Sequence, residues 1–270
     1  MSADYPAVLD GPAVHNGPAI LEVKGLGVRF GGFQALQDVS WSARAGRILG
    51  IIGPNGAGKS TCFQAATNMV RHDGGLLLDG QDVSDVPPDR LPRRGLRRTF
   101  QQNAFFGGMT VLDNMVGVLG GADGASLAGS VFTPWREMRG RRRVEATACD
   151  HLMRFGIPAA SHRKLPGELS HGTQRMLSVA LACAPGVRAV LLDEPGAGLG
   201  GADLQALSAL LLRLRDEGVA VVLIEHHMDL VMGVADEILV IEAGRTLAHG
   251  TPGAIQANPL VMEAYLGRAA

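Results

Sequence analysis

The densest run of chemistry-bearing residues is Gly53-Pro54-Asn55-Gly56-Ala57-Gly58-Lys59-Ser60-Thr61, which fits the spacing G-x-x-x-x-G-K-[ST]. Small residues let a backbone curl until successive N–H groups point to one centre, and a helix opening at that point adds partial positive charge. Such a loop is expected to cradle nucleotide phosphates through Gly53, Asn55, Gly56, Ala57, Gly58 and Thr61. Lys59 would supply a full charge to the β- and γ-phosphates, and the Ser60 hydroxyl would be offered to Mg²⁺. Further upstream, Gly25-Leu26-Gly27-Val28-Arg29-Phe30-Gly31 misses the dinucleotide-binding pattern, because Phe30 stands where a third glycine is required.

A second candidate is Ala189-Val190-Leu191-Leu192-Asp193-Glu194-Pro195, an apolar run ending in two carboxyl groups. Asp193 is suited to hold Mg²⁺ or its water, and Glu194 to polarise a water attacking the γ-phosphate. Both runs point to Mg²⁺-dependent chemistry on a nucleotide, which many proteins with such a loop share.

These groups meet only if particular elements carry them. Arg47 to Ile52 reads as a buried strand that enters the glycine-rich turn, followed by a helix from Lys59 to about Met69. Ile20 to Phe30 and Gln37 to Ala43 read as an antiparallel opening, broken by Gly25, Gly27, Gly31 and Gly32. Between Asn103 and Gly167 strand signals fade, and Trp135 to Phe155 is rich in helix formers. From Gly172 onward a helix to Cys183 alternates with strands at Ala189–Leu192, Val219–Ile224 and Ile238–Ile241, and with helices near Asp203–Glu217 and Met228–Val234. Parallel strands joined by helices put ligands at the carboxyl edge of the sheet, where both motifs lie.

The bulk numbers exclude several classes. With 46% apolar residues over 270 positions the chain can bury a large core, and 25 basic against 26 acidic residues give no overall pull toward nucleic acid or anionic lipid. No apolar run approaches the ~20 residues of a membrane span. Residues 1–18 read as a flexible leader without the features of a signal peptide. Three scattered cysteines, Cys62, Cys149 and Cys183, suit a reducing cytoplasm and are expected to behave as small buried apolar residues.

Shortly before the acidic run, Leu169-Ser170-His171-Gly172-Thr173-Gln174-Arg175 resembles the signature motif of ATP-binding-cassette (ABC) ATPases. Ser170 and the amides near Gly172 open a helix and form an anion site that is not expected to reach the glycine-rich loop of its own chain. The resemblance covers about residues 20–267. It implies an α/β fold in which a P-loop NTPase core with a mostly parallel sheet carries an antiparallel β subdomain and a helical subdomain. The corresponding divisions are 19–102 and 169–270 for the core and 103–168 for the helical subdomain.

The resemblance also implies roles. Ser170 and Gly172 would close on ATP held by a second ABC ATPase subunit, identical or paralogous. Gln101, in Arg98-Thr99-Phe100-Gln101, looks like the glutamine that senses Mg²⁺ and the attacking water. His226 looks like the switch histidine that contacts the γ-phosphate. Phe30 sits where the family places an aromatic on adenine, although core packing would explain it as well.

Ile224-Glu225-His226-His227-Met228-Asp229-Leu230 and the ending Glu263-Ala264-Tyr265-Leu266-Gly267 narrow the resemblance. They look like the ATPases of branched-chain amino-acid importers and their urea and amide relatives, Phe30-Gly31-Gly32-Phe33 and Leu169-Ser170-His171-Gly172 leaning toward the urea-type members. That likeness implies integral membrane permease partners, an indirect link to an external solute-binding protein, no nucleic acid, and a peripheral position on the cytoplasmic membrane face.

Some residues depart from the family pattern. Thr173 stands in place of a common Gln, Gly200-Gly201 replace a polar or proline pair, and His227 replaces a common Asp. These changes are expected to weaken polar contacts across a dimer and favour a non-identical partner. Arg93, Arg94, Arg97 and Arg98, and the group Arg136 to Arg143, read as solvated helix faces. Phe105, Phe106 and Met109 fit either a groove for a permease helix or core packing. The rival function, a soluble ABC ATPase acting on nucleic acid or ribosomes, usually carries two cassettes or a coiled-coil insertion, and a small-molecule kinase would leave Ser170 and His226 without purpose.

Overall fold

The computed structural model describes residues 17–99, 105–122 and 134–266, with side chains omitted for 121–122, 134–141 and 266. In chain order the elements are β1 (Ala19–Phe30), β2 (Phe33–Arg44), β3 (Ile48–Ile52), α1 (Lys59–Ala66), β4 (Asp73–Leu78), β5 (Gln81–Asp82), β6 (Leu96–Arg98), α2 (Val111–Ala122) and α3 (Pro134–Arg154). After these come α4 (His171–Ala182), β7 (Ala189–Asp193), α5 (Gly201–Asp216), β8 (Ala220–Ile224), α6 (Met228–Val234), β9 (Glu237–Glu242), β10 (Arg245–Gly250), α7 (Pro252–Gln256) and α8 (Pro259–Leu266).

Two sheets form. The larger runs β10-β9-β3-β8-β7-β6 and is parallel except for β10; the smaller is antiparallel in the order β2-β1-β4-β5. Strands β3, β7 and β8 are buried at every residue, as expected when helices cover both faces. Their side chains alternate between two cores. Ile48, Val190 and Val221 face a core shared with α4, α5 and α6, whereas Leu49, Leu191 and Val222 face one shared with α1 and the antiparallel sheet. The glycine-rich loop and the acidic strand end are therefore held between two packed layers. Helices α2, α3 and α4 pack on one another to one side.

Local chemistry shifts several boundaries from those read in the sequence. Gly25, at φ +61, absorbs a register shift so that β1 continues where a break was expected. Helix α1 stops at Ala66, because the Thr67 hydroxyl donates to Phe63 O (2.8 Å) and Asn68 turns left-handed, its amide donating to Val83 O and Val86 O. Arg97 and Arg98 do not lie on a solvated helix face. They sit on the edge strand β6, and Arg98 makes a buried ion pair with Asp193. Cys62 and Cys183 are buried, with thiols pushed up to about 12 by desolvation, whereas Cys149 is only half-buried.

Candidate functional site

The glycine-rich loop begins where β3 ends. Gly53 adopts φ +152, and a Cβ there would collide with Ile241 O of the neighbouring strand, so the backbone passes too close for any other residue. Gly58, at φ +105, is the N-cap of α1 and leaves no room for a side chain between Leu36 and Ala35 O of β2. Lys59 is 6% exposed, and its Nζ donates to Gly53 O at 2.7 Å and Pro54 O at 2.9 Å. Burial lowers its pKa, while Glu194 and then Asp193 act in the opposite sense. The sheet has thus brought Lys59 within electrostatic reach of both acids.

Asp193 ends β7 at 3% exposure. Its Oδ2 accepts from Arg98 Nη2 at 3.2 Å, and its backbone N–H donates to Thr99 Oγ1 at 2.9 Å. Its Oδ1 is buried with no hydrogen-bond partner among the described residues. Desolvation raises the Asp193 pKa, opposed by Arg98 and reinforced by Glu194. A buried, unpartnered carboxyl oxygen opposite a helix that begins Lys59-Ser60 is a hard donor of the kind Mg²⁺ takes, the ion otherwise keeping waters and phosphate oxygens.

Glu194 follows in a left-handed conformation, φ +49, costing about 1–3 kcal/mol. Two hydrogen bonds hold it: its N–H donates to Ile224 O at 2.9 Å, and Ala197 N–H donates to its carbonyl at 3.1 Å. The turn aims the side chain at His226, whose Nε2 stands 3.0 Å from Glu194 Oε1. His226 follows β8, the strand beside β7, so neighbouring strand ends deliver the pair.

Ser170 caps α4, its Oγ accepting from Thr173 N at 3.2 Å and lying 2.9 Å from Thr173 Oγ1. Gly172 is pressed against the Asp203 carboxyl group in the first turn of α5, and a Cβ there would overlap Asp203 Oδ2. Neither Ser170 nor Gly172 hydrogen-bonds to the glycine-rich loop or the acidic turn among the described residues. Gly201 adopts φ +42, so the Gly200-Gly201 pair has a backbone reason as well as a missing side chain.

Phe30 ends β1 at 49% exposure beside Phe33 at 67%, so it is not a core residue. The hairpin it closes leads into the β2 segment that rests on Gly58. Gln101 lies outside the described residues. Phe105 packs on the core, but Phe106 is 73% exposed.

Sequence reasoning missed three participants. Glu225 is 2% exposed beneath both catalytic-side loops. Asp203 was hidden because its contact with Gly172 joins two helices. Burial raises the pKa of Tyr265 of α8, and the nearby backbone of Gly53 acts in the opposite sense. No local spacing encodes these long-range contacts.

A family model described as ABC transporter matches residues 36–197, and one described as branched-chain amino acid ATP-binding cassette transporter matches residues 245–270. The chain belongs to the ABC transporter family. It is 38% identical over 252 residues to the high-affinity branched-chain amino acid transport ATP-binding protein BraF of Pseudomonas aeruginosa, spanning 93% of this chain and 98% of the relative. Against LivG of Escherichia coli, which carries the same description, it is 37% identical over 256 residues with the same coverage. A solved ABC transporter cassette in its ADP conformation superposes with a TM-score of 0.78 at 29% identity, over 93% of this chain and all of that one. The two sheets and flanking helices are accordingly the ABC ATPase form of the P-loop fold, and the chain is a nucleotide-binding subunit that hydrolyses ATP for transport. Among the described residues no helix is long and apolar enough to cross a membrane.

Proposed function

We propose that this chain powers uptake of branched-chain amino acids, or closely related small polar solutes, through a membrane permease to which it binds at the cytoplasmic face. The relatives' descriptions and the match over residues 245–270 support that substrate class over the urea and amide alternatives. The region of α2 and α3, within the helical subdomain expected from the sequence, meets the permease, with exposed Phe106 and Met109 available to a short helix. A solute-binding protein outside the cell delivers the cargo.

In the proposed mechanism the amides of Gly53 to Thr61 wrap the phosphates and Lys59 exchanges its two loop carbonyls for phosphate oxygens. Ser60 and Asp193 would hold Mg²⁺, which would offset phosphate charge, with Gln101 as the further residue expected to sense it. Phe30 lies on the adenine. The Glu194 carboxylate takes a proton from the attacking water, and His226, which contacts the γ-phosphate, stands 3.0 Å away and fixes the direction in which that carboxylate points. Ser170 and Gly172 engage the ATP of a second subunit, so hydrolysis loosens the pair. Thr173 and the Gly200-Gly201 turn weaken this face and favour a paralogous partner.

The observation that carries the assignment is the convergence of Lys59, Asp193 with its unpartnered oxygen, and the Glu194–His226 pair at one sheet edge. The test is reconstitution with the permease and binding protein. Leucine uptake that needs ATP and disappears in Glu194→Gln supports the proposal; ATP hydrolysis stimulated by RNA but not by permease would replace it with the rival.

A further inference from the structure

Glu225 lies under two loops that approach from different strands. Its Oε1 accepts from Gly196 N at 2.5 Å, and its Oε2 accepts from His226 N at 2.8 Å and His227 N at 3.2 Å. At 2% exposure the carboxyl group is sealed from water, and all three of these donors are backbone amides. Gly196 fits only because it lacks a side chain: a Cβ would lie 2.6 Å from Glu225 Oε1. Gly196 belongs to the turn of Glu194, and His226 opens the loop after β8. One side chain thus ties the backbones that carry the two facing groups.

We propose that Glu225 is a positioning residue that locks the Glu194 turn and the His226 loop into one unit, so that a shift of His226 on its phosphate is passed to Glu194. The inference rests on the roles proposed above for Glu194 and His226, and it adds the part that makes them act together. Only a side chain with two accepting oxygens can serve both loops. Glutamine at this position accepts on one side and turns an N–H toward an N–H on the other.

A buried acceptor that is lost leaves amides unsatisfied, and misplacement of a reacting group by ~1 Å lowers turnover on the order of a hundredfold. In the full chain assembled with its permease, Glu225→Gln is expected to bind one ATP per chain with affinity within about twofold of the parent, while kcat per bound site falls about tenfold to a hundredfold. Gly196→Ala presses on the same contact from the other loop and gives the same split even if Glu225→Gln folds poorly. In a His226→Ala background, where the two loops have nothing left to coordinate, Glu225→Gln lowers kcat by less than about threefold. A purely structural residue would lower the number of ATP sites and would act equally in both backgrounds. Parent-like kcat per site in a variant that binds ATP, or an undiminished effect beside His226→Ala, overturns the proposal. Glu194→Gln run in parallel separates the two layers. If it is inactive while Glu225→Gln is normal, only the coupling falls; if it is fully active, the catalytic assignment falls and the coupling with it.

Discussion

The sheet edge and the head of α4 bear two halves of one proposed site, and they are built in opposite ways. At the sheet edge the groups are held under tension: Glu194 is left-handed, and Asp193 keeps a buried oxygen without a partner among the described residues. At α4 the Ser170 hydroxyl is already engaged by Thr173, and Gly172 is crowded by the Asp203 carboxyl group. A ligand at the first place meets the open Asp193 oxygen while Lys59 exchanges its loop carbonyls, whereas at the second it must displace the Ser170–Thr173 contact.

The largest effect expected from breaking the tense half is on chemistry. Glu194→Gln keeps the turn and should bind ATP normally, with turnover lower by about 10²–10⁴ in a steady-state phosphate-release assay. Near-normal turnover would remove Glu194 from its role.

Arg98→Leu attacks the same half through stability. It leaves Asp193 buried without its counter-charge, and denaturant unfolding is expected to show a loss of about 3 kcal/mol. An unchanged unfolding midpoint would mean that the ion pair of Arg98 and Asp193 contributes nothing.

At α4 the expected effect on the fold is smaller. Ser170→Ala loses a cap, worth about 1 kcal/mol in the same unfolding measurement. Its turnover in the assembled transporter should fall much further than that figure implies, since the proposed contact with the partner's nucleotide also goes. Equal losses in both assays would reduce Ser170 to a cap.

The smallest effect is a pH slope. Burial lifts Asp193 above its ordinary 3.8, so the folded chain holds this proton more tightly than the unfolded chain. The stability gained is complete below 3.8 and is lost as pH rises through the raised value. Asp193→Asn, unfolded without metal or nucleotide, should lack that decline; an identical slope in parent and variant would contradict it.

What was legible in the sequence follows from range. The Gly53–Thr61 loop, the apolar run ending at Asp193 and the alternation of strands and helices are local patterns, and the central strands β9, β3, β8 and β7 of the larger sheet follow from them. Strand β6 was misread because two arginines on an edge strand look like a solvated face until the Asp193 contact is seen. Strands β4, β5 and β10 are short and glycine-rich or polar, and their pairing decides them. Glu225, beside His226 in the chain, was overlooked because its partner Gly196 is supplied by another strand.

The most direct test is the structure of Glu194→Gln bound to ATP with its partner ATPase. The two-face account predicts that the Ser170 hydroxyl has left Thr173 and lies within hydrogen-bond distance of a γ-phosphate held by the other subunit's glycine-rich loop. A Ser170 still turned toward Thr173, in a fully nucleotide-loaded and closed pair, would contradict it.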